Sequence, residues 1–294
     1  MDLTSERSIL LKPEAIALLV NENALDDLKI FLYTLELWNT TYPTLYIYCT
    51  ESVKIILPSL NYKGFIYTST KQLEIYKNLT RKEMEQLPSR KKLSNLFHDF
   101  TLEKTNLMKW AIEEHKKGVL FCDADILWLG PLPEIPENTE LALSPHEIEQ
   151  KYEDRFGKYN AGFLYIQTID IVEIWYNETL VSKFFEQLAL DQLAKYIEPE
   201  PYIFGRHINY GWWRMFQAPV TYTERIDEWS IKTHKTHENS GLTVKNIPVI
   251  CIHTHWKTKD SMTKTFNTFI YRRLLLVKHN PLVEKLLSFL ISPF

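Results

Sequence analysis

Apolar runs of strand length recur along the chain, each separated from the next by polar stretches or by apolar residues at helical spacing. Residues 15–20 (AIALLV) form the first continuous run. Leu25, Leu28, Leu32 and Leu35 follow at gaps of three and four, which is one face of a helix. Residues 44–49 (TLYIYC) and 64–68 (GFIYT) read as the next strands. Strand, helix and strand in alternation predict a βαβ unit. A run apolar at every position predicts a parallel sheet covered on both faces. Residues 71–98 are polar with no sustained period and read as helical turns and loops. The spacing of Leu107, Trp110 and Ala111 predicts a helix over 102–115, stopped by Lys116-Lys117-Gly118. Further strands are expected at 119–122, 141–143, 159–166 and 249–253, a helix at 181–196, and a Leu- and Phe-rich helical tail over 265–290. No repeat, low-complexity tract or linker interrupts this, so residues 1–294 read as one α/β domain with an elaborated C-terminal half.

Composition narrows the class. A chain of 294 residues with 45% hydrophobic and 24% charged positions can bury a large core. Its formal net charge of −3 argues against a nucleic-acid partner, which needs a basic stripe to neutralise phosphates. Cys49, Cys122 and Cys251 each sit inside an apolar run, as buried free thiols do. That usage fits a reducing compartment, so a cytoplasmic location is expected. The opening residues, MDLTSERSILLKPEA, carry charge early and no long apolar stretch, so no signal peptide is expected. No apolar run reaches the ~20 residues that span a bilayer. The tail could touch a membrane surface, although packing back on the domain is preferred.

The chemistry concentrates after the strand at 119–122. There the sequence reads GVLFCDADILWLGPL, with Asp123 and Asp125 at the strand's end. In open α/β sheets, ligands bind beyond the carboxyl ends of the strands. Two carboxylates this close repel, and burial makes the repulsion costlier. A divalent cation, Mn²⁺ or Mg²⁺, relieves both and leaves coordination positions for a phosphorylated substrate. The competing reading is a loop with two exposed acids. Asn160-Ala161-Gly162 offers small side chains for close approach of a ligand, and an amide for hydroxyls. Asp191 has three readings: orienting a sugar hydroxyl, accepting the acceptor's proton, or pairing with a surface base. His253 and His255 share one face of an extended segment and could both point at one metal, which would favour Mn²⁺. His253 directly ends the run VICI. Lys257 and Lys259 could neutralise a leaving diphosphate or serve as surface charge. The aromatic-rich stretch 205–214 (GRHINYGWWR) could shape an acceptor pocket, and Asn21 lies just past the first strand, where a nucleotide base could sit.

These residues, in this order, resemble the nucleotide-diphospho-sugar transferases of GT-A fold. VLFCDADILWLGPL is similar to their D-x-D segment, and Tyr159-Asn160-Ala161-Gly162-Phe163 to the strand that follows it. Asp191-Gln192 resembles their D-Q pair, and 252–257 (IHTHWK) their late histidine element. Lys104 stands at a common position in the helix before D-x-D. The resemblance implies a Rossmann-like, mostly parallel sheet flanked by helices, with a nucleotide-binding half over about 1–130 and an acceptor half over about 131–294. It implies Mn²⁺ or Mg²⁺ on Asp123, Asp125 and a histidine, and a donor held by Asn21, Lys104, Asn160, Ala161, Gly162, Gln192 and Lys257. It implies transfer of a sugar from a nucleotide diphosphate, a UDP-sugar first, to a hydroxyl of a glycan or similar acceptor. Asp191, Glu224, Asp227 and Glu228 are the candidate general bases. Two other readings stay open: a non-catalytic carbohydrate- or nucleotide-sugar-binding protein of this fold, and a metal-dependent phosphohydrolase. The Asp motif here lacks the Thr that the D-x-D-x-T phosphohydrolases carry.

Overall fold

All but the last of the apolar runs contribute strands to one sheet in the computed structural model, which describes residues 9–232 and 237–290. In chain order these are β1 (Ala15–Val20), β2 (Thr44–Cys49), β3 (Ile66–Ser69) and β4 (Val119–Cys122). Then come β5 (Ile126–Trp128), β6 (Leu141–Pro145), β7 (Tyr159–Ile166) and the two-residue β8 (Tyr202–Ile203). All but β5 join a seven-stranded sheet in the order β8-β6-β7-β4-β1-β2-β3. β3, β2, β1 and β4 are mutually parallel, and β7 alone runs against its neighbours. A second, three-stranded sheet sets β10 (Cys251–His253) between β9 (Tyr210–Gly211) and β5.

Both faces of the large sheet are covered, as continuous apolar runs require. Ile16, Leu18 and Val20 pack in one layer with α1 (Leu25–Trp38), while Ala15, Ala17 and Leu19 pack in the other. That other layer includes α2 (Leu96–His115), α3 (Ile169–Val181) and α4 (Phe185–Tyr196). Every residue of β1 is buried, and each large aliphatic side chain there contributes about 1.5–3 kcal/mol.

Several boundaries differ from expectation for local reasons. α2 starts ahead of residue 102 because Asn95 caps it, its side chain accepting from the His98 N–H at 2.9 Å. It ends on Lys116, at φ 62°, rather than on the glycine. Gly118 is needed for another reason: a Cβ there would lie 2.1 Å from the Tyr165 hydroxyl. The helix expected at 181–196 starts at Phe185, and α3, which the pattern did not reveal, precedes it. The tail divides at Pro281 into α5 (Ser261–Leu276) and α6 (Pro281–Phe289), since proline cannot continue a helix but starts one well. Cys49, Cys122 and Cys251 are free and buried. No helix among the described residues is long and apolar enough to cross a membrane.

Candidate active site

Two hydrogen-bond registers build the site. β4 ends at Cys122, and the Asp123 N–H donates to the Gly162 carbonyl of β7 at 2.8 Å. The chain turns through Asp123 and Asp125 into β5, which pairs antiparallel with β10. Ile126 lies opposite His253, and the Thr254 N–H donates to the Asp125 carbonyl at 2.9 Å. That pairing carries His253 to the carboxyl end of the parallel strands, beside both aspartates.

The three side chains converge. His253 Nε2 is 3.1 Å from Asp125 Oδ1 and 3.9 Å from Asp123 Oδ2. One ligand atom from each residue lies within 4.8 Å of the others. Two carboxylates and an imidazole form a donor set that suits Mn²⁺, which accepts nitrogen more readily than Mg²⁺ does. The backbone beneath them is shaped to match. A Cβ on Gly162 would fall 2.4 Å from both Asp123 Oδ2 and His253 Cε1, so only glycine leaves room for the group. The residues present therefore fit a divalent metal.

Charge around the centre is divided unevenly. Lys104, buried in α2, reaches Asp123 Oδ1 at 3.0 Å, Glu186 Oε1 at 2.9 Å and the Ala161 carbonyl at 3.3 Å. Burial opposes the charge of its ammonium, but Asp123 and Glu186 outweigh it and hold the pKa above the ordinary lysine range. Burial pushes the Asp123 carboxyl up, against the pull of Lys104. Burial also opposes ionisation of Asp125, yet His253 and His255 outweigh it and hold that carboxyl well below the ordinary range. His255 stands differently from His253. Its side chain is 65% exposed, with Nδ1 2.9 Å from Asp27 Oδ2 and Nε2 3.4 Å from Asp125 Oδ2. Asp125 first, then Asp27, raise it to about 10. It sits between two carboxylates, outside the three-residue group.

A cavity of about 590 Å³ opens in front of these residues, within the range of small-ligand sites. Of the residues expected from sequence, Asn21, Lys104, Asp123, Asp125, Asn160, His253 and His255 line it. Ala161 and Gly162 lie directly behind the wall, through the contacts given above. Asn21 spends its amide on the fold, donating to the Tyr76 and Leu79 carbonyls at 3.3 and 3.1 Å.

Other expected residues are placed elsewhere. The Asp191 carboxylate accepts from the Lys158 N–H at 2.9 and 3.1 Å, away from the cavity lining. Gln192 is exposed and bonds Lys195. Lys257 pairs with Asp26 at 3.1 Å in the first turn of α1. Glu224 caps its own short helix with Thr221, and Glu228 pairs with Arg206 and Arg225. Neither they nor Asp227 lines the cavity.

Among the lining residues that were not foreseen, three lie closest to the argument: Asp27, Glu186 and Gln187. The last two occupy the first turn of α4, with Gln187 donating to the Phe156 carbonyl at 2.8 Å. The signal was the acid-glutamine pair at 186–187, five residues before the pair at 191–192 and so on a different face of the same helix. Trp212 and Trp213 of the aromatic stretch also line the cavity, and the Trp213 ring meets His253 edge-on at 5.0 Å.

No protein-family model and no curated protein matches the sequence. Solved structures do match the fold. The galactosyltransferase LgtC, in complex with donor and acceptor sugar analogs, superposes with a TM-score of 0.53 at 15% identity, over 95% of this chain and 96% of that one. An active-site mutant of LgtC gives 0.50 at 13% identity, over 84% and 90%. Mouse xyloside xylosyltransferase 1, apo form, gives 0.47 at 10% identity, over 83% and 98%. The likeness to LgtC shows the fold: a mixed α/β architecture of GT-A type, with a mostly parallel central sheet flanked by helices.

Proposed function

We propose that this chain is a divalent-metal-dependent glycosyltransferase. It moves a sugar from a nucleotide-diphosphate donor, a UDP-sugar first, to a hydroxyl of a glycan or similar acceptor. One observation carries the reading. Asp123, Asp125 and His253 meet at the carboxyl end of a parallel sheet, in the wall of a ligand-sized cavity, on a fold shared with a sugar transferase.

In this reading Asp123, Asp125 and His253 hold the metal, Mn²⁺ in preference to Mg²⁺. When bound, the metal supplies Lewis-acid stabilisation of the charge that develops on the departing nucleoside diphosphate. Lys104 holds Asp123 by one oxygen, leaving the other turned toward His253. Asn160 and Gln187 form part of the wall and hold its shape, Asn160 bonded to Gly162, Asn209 and His146 and Gln187 to the Phe156 carbonyl. Glu186, tied to Lys104, keeps the first turn of α4 against the site. Asp191 and Gln192 are assigned to the support of that helix rather than to the donor. The three thiols, free and buried, accord with work in a reducing compartment.

The test is incubation with MnCl₂ and a panel of nucleotide sugars, reading free nucleoside diphosphate. The expected result is slow, metal-dependent release from one donor, accelerated by a sugar acceptor. Metal-dependent nucleotide binding without release under any acceptor would point to the binding-protein reading. No nucleotide binding with any divalent cation would end the transferase reading.

A further inference from the structure

We infer that Asn209 is a positioning residue for the metal centre: it holds a proton on His253 Nδ1, so that Nε2 is the nitrogen left to a cation between the aspartates. The inference rests on the reading that Asp123, Asp125 and His253 hold a cation. It concerns a residue that neither lines the cavity nor reaches the ligand atoms.

Donors and acceptors along a buried chain of amides settle the assignment. It starts at a group whose identity is not in question, the backbone N–H of Gly162, which donates to the Asn160 side chain at 3.0 Å. The atom it meets must be the amide oxygen of Asn160. That oxygen lies 3.1 Å from one terminal atom of the Asn209 amide. An oxygen there would face an oxygen, so the Asn209 atom is the nitrogen, and it also donates to the Ser144 hydroxyl at 3.0 Å. The remaining Asn209 atom is then the oxygen, and it stands 3.0 Å from His253 Nδ1. An amide oxygen only accepts, so His253 Nδ1 carries hydrogen.

The far end of Asn160 agrees. Its Nδ2 faces His146 Nε2 at 3.3 Å, and His146 Nδ1 donates to the Gly157 carbonyl at 2.9 Å, leaving Nε2 to accept.

Asn209 is built for the task. It is fully buried and holds φ at 56°, a left-handed conformation in which Asn is enriched among residues with a Cβ. Its own N–H donates to Cys251 Sγ at 3.2 Å, which ties it to the strand that carries His253. Without an acceptor at Nδ1, the ring of a neutral His253 can carry its proton on Nε2 instead. There Asp125 Oδ1, at 3.1 Å, would accept it. A metal would then have to displace that proton before it could bind. Partners that hold a ligand histidine in this way typically change metal affinity 10–100-fold when removed.

The test uses the whole chain, without donor or acceptor. Nitrogen-15 correlation spectra of the histidine rings, with His253 assigned by its loss in His253→Gln, report which ring nitrogen bears hydrogen. Calorimetry with MnCl₂ alone reports affinity. The expected wild-type result is hydrogen on His253 Nδ1 in the metal-free protein. Asn209→Leu should move it to Nε2 and weaken Mn²⁺ binding 10–100-fold. Asn209→Asp keeps an acceptor at Nδ1 and should hold the proton there, restoring most of the affinity. A bare Nδ1 in the wild type, or an Asn209→Leu protein that binds Mn²⁺ as tightly as the wild type, overturns the inference. If Asn209→Leu does not fold, the wild-type and Asn209→Asp spectra decide. An Nδ1 proton in a wild type that binds no divalent cation would uphold the hydrogen-bond assignment and refute the metal reading, so the two failures are distinct.

Discussion

Two clusters of charge, one of them rooted in the 205–214 stretch, are built on different rules. In one, Arg206 bonds both Glu147 and Glu228, and Arg225 meets Glu228 at 3.1 Å. Arg214, fully buried, donates to the carbonyls of Arg206, Ile208 and Pro145. Charge there is spent on neighbours, and the product is a fixed wall. In the other, Asp27, Asp123, Asp125 and Glu186 gather around Lys104, His253 and His255, facing a cavity. Buried groups that cancel one another specify a shape. Groups that repel one another, and still share a cavity rim, specify a ligand of the opposite sign.

The largest effect should fall on the wall. Arg214→Met leaves three carbonyls and Glu147 without their partner, and should cost about 3–5 kcal/mol in urea unfolding. A loss near zero would mean the network is ornamental, and the contrast would collapse.

His146 lies between the clusters, its ring edge against Trp213. Burial, and then Arg214 and His253, lower it from 6.5 to about 4. The folded form keeps it neutral where the unfolded chain would protonate it. Its contribution is therefore present above pH 6.5 and is lost as pH falls toward about 4. Relative to His146→Gln, the wild type should lose about 3 kcal/mol across that window. Parallel pH profiles for the two proteins would remove His146 from the picture.

At the rim, Asp125→Asn should cost binding rather than folding. A ~100-fold weaker Mn²⁺-dependent affinity for nucleoside diphosphate, about 2.7 kcal/mol, is expected with the unfolding midpoint little changed. Undiminished binding would show that the acids are not the ligand site. The smallest effect belongs to Asp191, which sits in neither cluster. Asp191→Ala should cost about 1 kcal/mol of stability through the lost bonds to Lys158. Nucleotide binding should not change, and a clear loss of it would return Asp191 to the active site.

What the sequence made legible follows the same division. The sheet could be read because buried parallel strands are apolar at every position, as 15–20, 44–49 and 119–122 are. Asp123, Asp125 and His253 could be read because each ends such a run. Glu186 and Gln187 were harder, because the phase of α4 decides which side chains face the cavity, and that phase is set where the helix begins. Phe185, at φ 48°, starts it later than apolar spacing suggests, so the acid-glutamine pair five residues further along looked equivalent. Lys257 follows His253 closely in sequence, but the chain turns after β10 and delivers it to Asp26. Asn209 gave no local signal, since its partners come from β6, β7 and β10.

The pairing of β5 with β10 also sets a timetable. A chain emerging from the ribosome exposes Asp123 and Asp125 long before His253, and Asn209 lies between them. The early strands can gather apolar partners while the acids still lack their imidazole. Competence therefore waits for residue 253, and a product truncated ahead of residue 251 would keep its seven-stranded sheet's residues yet have no means of completing the centre.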